Sequence, residues 1–112
     1  MQMNVEELPG GATLVVLSGR LDVAGASAIE LKFNATASAR KALVVDLSGV
    51  GFVASMGMRL LLLVGKTMAA RGGKMALLSP QPEVASVLHT AGIDTVIPVH
   101  TARDAAVAAV AA

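Results

Sequence analysis

The sequence predicts an α/β domain with a mixed central sheet of about five strands flanked by about four helices, and three observations carry this. Apolar residues recur at three- and four-residue spacing in some segments and run unbroken in others, which separates amphipathic helices from covered strands. Glycine and proline clusters fall between those segments. The resulting order, β-β-α-β-α-β-α-β-α, is that of an antiparallel start followed by parallel crossovers.

The elements follow in chain order. Asn4 to Leu8 and Thr13 to Ser18 read as strands around the turn composition Pro9-Gly10-Gly11, hence a hairpin. After Gly19-Arg20-Leu21-Asp22, the positions Ala26, Ile29, Phe33 and Ala37 form the stripe of an amphipathic helix. Lys41 to Leu47 is the next strand; Ala42, Leu43, Val44 and Val45 are apolar without alternation, so it belongs mid-sheet, covered on both faces. A glycine-containing turn over Ser48 to Gly51 leads to a helix from about Ser55 to Ala70, ended by Gly72-Gly73. Lys74 to Ser79 is a strand, and Ser79-Pro80-Gln81-Pro82 opens a helix that runs to about Ala91 and stops at Gly92. Thr95 to Val99 reads as a short strand whose Pro98 suits a sheet edge. Thr101 with Asp104 has the form of a capping box that starts a final helix in the Ala-rich tail Ala102 to Ala112.

Composition narrows the function. The 112 residues are read as one domain, residues 1–112, and their 54% hydrophobic content builds a core with only Phe33 and Phe52 as aromatics. A net charge of +1, with basic residues scattered, gives no footprint for nucleic acid. Cysteine is absent, which removes disulfides and thiolate chemistry. Met1 to Pro9 does not read as a signal peptide. The apolar run Leu60 to Gly65 is far short of the roughly 20 residues a membrane span needs. The expectation is a cytoplasmic protein without membrane insertion.

Few residues can carry chemistry. Gly49-Val50-Gly51-Phe52-Val53-Ala54 matches the G-x-G-x-x-A pattern of dinucleotide sites, but no acid occurs between Asp46 and Glu83 to take the ribose, so these glycines are read as a turn. His89 and His100 lack partners at metal spacing, and the hydrolase elbow Gly-x-Ser-x-Gly is half present, with Val53 in place of the first glycine. No catalytic residue, cofactor or metal is therefore expected. Ser55 stands where a serine N-cap would stand. At about 100° per residue, Gly57, Leu60, Leu61, Val64 and Met68 share one side of its helix, and Ser55, Arg59 and Lys66 the other. Leu62 and Leu63 flank the charged side and Met58 borders it, so a water-facing surface with large apolar groups lies beside Ser55, as partner surfaces do.

The segment Asp46-Leu47-Ser48-Gly49-Val50-Gly51-Phe52-Val53-Ala54-Ser55-Met56-Gly57-Met58 resembles the signature of the STAS family, as Gly19-Arg20-Leu21-Asp22 resembles that family's Gly-x-Leu-Asp loop. Gly92-Ile93, Val96-Ile97 and Thr101 resemble its C-terminal pattern, so the likeness covers nearly the whole chain. In the bacterial anti-sigma-factor antagonists of this family, the serine matching Ser55 is phosphorylated by a partner that is both serine kinase and anti-sigma factor. The unphosphorylated form binds that partner and frees the sigma factor. The resemblance implies a regulator whose partner contacts include Ser55 and Asp22, the latter equally readable as a cap or turn residue. The helical projection adds Met58, Arg59, Leu62, Leu63 and Lys66 to the expected partner-binding face, and the protein is expected to be monomeric when free. The family's Asp-Ser-Ser/Thr-Gly is Ala54-Ser55-Met56-Gly57 here, so the acceptor remains without its acidic neighbour. Alternative roles are a STAS subunit of a transporter or signalling scaffold, not phosphorylated, and a nucleotide or small-molecule module.

Overall fold

The computed structural model describes residues 1–111. Five strands form one sheet in the order β1(Gln2–Glu7), β2(Thr13–Leu21), β3(Ala42–Val53), β4(Lys74–Leu78), β5(Val99–His100). The pair β1/β2 is antiparallel and the other pairs are parallel. Helices α1(Val23–Ser38), α2(Ser55–Ala70) and α3(Pro82–Thr90) make the crossovers, and α4(Arg103–Val110) closes the described chain.

Because the parallel strands lie in sequence order, right-handed crossovers place α1, α2 and α3 on one face of the sheet. The core divides accordingly. Val15, Leu17, Val45, Leu47 and Leu77 pack with Ile29, Phe33, Leu61, Val64 and Leu88 on the three-helix face. Leu14, Val44, Ala76 and Leu78 meet Ala106 and Val110 of α4 on the other. The unbroken run Leu43-Val44-Val45 is thus covered on both sides, as its lack of alternation predicts. Thr13 is the buried polar residue among those described; its hydroxyl donates to Glu7 (2.9 Å) and accepts from Arg40 (3.1 Å), which removes the cost of an unpaired hydroxyl.

Four local expectations are corrected. The stretch Ser48 to Gly51 is not a turn: β3 continues to Val53, paired with a β2 that itself runs to Leu21 through irregularities at Val16/Ser18 and Gly19/Arg20. Gly49 belongs there because a Cβ would come within 2.9 Å of the Ser18 Cβ, so close strand pairing selects the glycine. Thr95 to Val99 is not a strand. Ile93 and Ile97, four residues apart, are both buried through a 3₁₀ turn over Ile93–Thr95, with the Ile97 N–H on the Ile93 carbonyl at 2.9 Å, and the edge strand begins only after Pro98. Thr101 is not the cap of α4, which starts one residue later behind Ala102 with no side-chain cap bond. The first strand begins at Gln2 rather than Asn4 and ends at Glu7.

Candidate functional site

The extensions of β2 and β3 bring Arg20-Leu21-Asp22 alongside Phe52-Val53-Ala54, and helices α1 and α2 both start from this point. Asp22 is the N-cap of α1. Its Oδ1 accepts the Gly25 N–H at 2.8 Å, and its carbonyl accepts the Ala26 N–H at 2.8 Å. The Gly25 N–H, reinforced by Arg20, holds the Asp22 carboxyl below its ordinary value.

At α2 the expected serine cap is displaced. The Ala54 N–H bonds the Leu21 carbonyl at 3.0 Å, extending the strand pairing by one residue, so extended Ala54 becomes the N-cap and supplies no side-chain acceptor. Ser55 is then the first helical residue, exposed, and among the described residues its hydroxyl makes no hydrogen bond. Gly57 is needed in the first turn: a Cβ there would lie 2.3 Å from the Leu21 oxygen and 2.6 Å from the Leu21 Cγ.

The exposed face of α2 is turned from the one the helical projection predicts. Gly57, Leu60, Leu61, Val64 and Met68 are buried as expected. Met58 and Leu62, however, are half-buried and pack against the core, whereas Leu63 is 51% exposed and Met56 41% exposed. Arg59 and Lys66 are exposed, Arg59 with its guanidinium 3.9 Å from the Met56 sulfur. Lys66 lies on the side of Ser55 but roughly 16 Å farther along the helix axis. The open flank faces α1, where Ala26, Ser27 and Glu30 line a shallow groove of about 80 Å³ with Met56, Arg59 and Leu63.

Two residues of this end escape sequence reading. Phe52, 40% exposed, carries the Arg20 guanidinium over its ring at 4.2 Å, and Arg20 Nε lies 3.4 Å from Asp22. Phe52 lies just past the stretch read as a turn, Ser48 to Gly51, and gave no sign of this; it comes opposite Arg20 only because β3 continues as strand to Val53, with Val50 and Val53 buried and Phe52 exposed between them. The same fact decides the dinucleotide pattern: Gly49 and Gly51 lie in a paired strand, neither with positive φ, and form no phosphate loop. His89, on the surface of α3, pairs with Asp94 at 2.6 Å, which raises the imidazole above its ordinary value, and His100 lies in β5. Among the described residues no group of three His, Cys, Asp or Glu could hold a metal, and no helix is long and apolar enough to cross a membrane.

The model of the STAS domain family matches residues 2–106. BtrV of Bordetella bronchiseptica, provisionally named an anti-sigma factor antagonist, is 28% identical over 110 residues, covering 97% of this chain and 94% of that protein. The crystal structure of an anti-sigma factor antagonist from Mycobacterium paratuberculosis superposes with a TM-score of 0.87 at 29% identity, over 97% of this chain and 92% of the other. An anti-sigma-factor antagonist (STAS) domain protein from Planctomyces limnophilus gives a TM-score of 0.84 at 25% identity, over 98% of both chains. With the five-stranded mixed sheet, the four helices and a family match across nearly its whole length, the chain belongs to the STAS domain family.

Proposed function

We propose that this protein is an anti-sigma-factor antagonist that docks an anti-sigma factor with serine kinase activity and is released when that partner phosphorylates Ser55. The observation that carries the reading is the exposed hydroxyl of Ser55, without a hydrogen bond among the described residues, on a helix start that lacks a side-chain cap. The names of the Bordetella and mycobacterial relatives support the class of partner. The segment Phe52 to Leu63 holds no acid or histidine, so the chemistry belongs to the partner. A P–O bond forms at Ser55 Oγ as the terminal anhydride of ATP breaks; ADP leaves, and the hydroxyl proton passes to a base of the kinase.

The product carries about −1.5 to −2 charges at the positive end of α2, where the helix dipole favours them. Arg59 stands one turn away. Exposed Met56 and Leu63, with Arg59 and Lys66, form the docking face, and Met58 and Leu62 support it from the core side. Bringing phosphate against Met56 and Leu63 requires its desolvation, which weakens docking and gives the switch its direction.

The test is incubation with the candidate kinase and ATP, followed by peptide mass spectrometry. One phosphate is expected on Ser55 and none on Ser55→Ala. Leu63→Glu is expected to lower partner affinity at least tenfold with the fold intact, because that side chain stands half in solvent. A kinase active on another substrate that leaves the wild type unmodified sinks the switch, and partner binding without modification would point to the scaffold role.

A further inference from the structure

Three consecutive carbonyls support both helix starts. The Arg20 oxygen lies where a Cβ on Gly25 would be, at 2.0 Å, so the first turn of α1 rests on it. The Leu21 oxygen accepts the Ala54 N–H and lies 2.3 Å from where a Gly57 Cβ would be, so the first turn of α2 rests on that one. The Asp22 oxygen accepts the first helical bond of α1. The dihedral angles of this segment are therefore shared by α1 and by the helix bearing Ser55. Leu21 is fully buried and cannot swing aside.

The Asp22 side chain fixes the segment from two directions. Oδ1 ties it to Gly25 at 2.8 Å, and Oδ2 lies 3.4 Å from the Arg20 guanidinium, which in turn lies over Phe52, two residues before the α2 cap. Both carboxylate oxygens face groups of this chain, and the side chain is 35% exposed.

We infer that Asp22 is a positioning residue for Ser55: by capping α1 it holds the Leu21 carbonyl under Ala54 and Gly57, and so sets how the start of α2 is presented to the partner. The inference rests on the proposed docking at Ser55 but concerns a coupling inside the chain that is measurable without a partner. It differs from a direct ionic contact in one respect. A cap needs a short side-chain acceptor, which Asn and Ser also supply, whereas an ionic contact needs the charge.

The experiment measures amide hydrogen exchange in the intact protein for wild type, Asp22→Ala, Asp22→Asn and Asp22→Ser, then phosphorylation by the candidate kinase. Asp22→Ala is expected to speed exchange at Ala54 and Met58 about fivefold relative to Val45 in the centre of β3, the scale of a lost cap. Asp22→Asn and Asp22→Ser are expected to restore wild-type ratios and, where Ser55 is phosphorylated, wild-type kcat/KM. Unchanged Ala54 exchange in Asp22→Ala overturns the coupling. An Asn variant as impaired as the Ala variant toward the kinase, despite restored exchange, shows the charge to be the contact and overturns the positioning role. If no kinase modifies Ser55 while the exchange pattern holds, the switch fails and the coupling stands.

Discussion

Helices α1 and α2 begin on the same short segment, yet one start is closed and the other open. At α1 a carboxylate accepts a backbone N–H, and at α2 the cap residue is alanine, leaving orphan N–H groups beside an exposed serine. Both first turns lie so close to the Arg20-Leu21 backbone that only glycine fits at Gly25 and Gly57. Packing is thus equally tight at the two starts, and capping is what separates them. A closed start anchors the chain, and an open one keeps donors available to whatever charge arrives.

The largest expected effect tests the shared packing. Alanine normally gains about 1 kcal/mol over glycine within a helix. Gly57→Ala and Gly25→Ala should nevertheless each destabilise the protein by about 3 kcal/mol in urea denaturation, because the new methyl meets a backbone oxygen rather than a yielding side chain. A gain in stability for either variant would break the claim that both helices rest on this segment.

A smaller effect should close the open start. Ala54→Ser places a hydroxyl at a residue already extended (φ −97, ψ 173), within reach of the Met56 or Gly57 N–H, and should stabilise by about 0.5–1 kcal/mol. If thermal denaturation shows no gain, those donors are not free in the way the comparison requires.

The smallest effect concerns pH at the closed start. The Asp22 pKa is lowered in the folded state, chiefly by the Gly25 N–H, so its contribution is fully present above the ordinary value of 3.8 and is lost as pH falls through the lower folded value. The stability difference between wild type and Asp22→Ala should therefore be constant through neutral pH and shrink in acid below about pH 3.8. A difference that instead grows in acid would contradict the cap.

Much of the architecture was legible because its signals are local. The stripe Ala26, Ile29, Phe33 and Ala37 is the buried side of α1, and Gly72, with φ of 78, stands just beyond the end of α2. Pro82 begins α3 as its position predicts. That Asp22 and Ser55 meet at one end of the sheet was legible in outline, but the surface of this candidate site was not. The helical projection ranked Leu62 and Leu63 alike, and packing separated them by drawing Leu62 and Met58 toward the core.

What the sequence by itself determined is periodicity and punctuation: where helices run, which strand is covered on both faces, and that a serine stands at the head of α2. Only the tertiary structure decided that Ser48 to Val53 is strand, that Ala54 and not Ser55 is the cap, and that Arg20 lies over Phe52. The reason is common to all three. Each depends on the pairing of β2 with β3, a contact between residues about thirty positions apart, as at Leu21 and Val53, and no local pattern encodes where such a pairing ends.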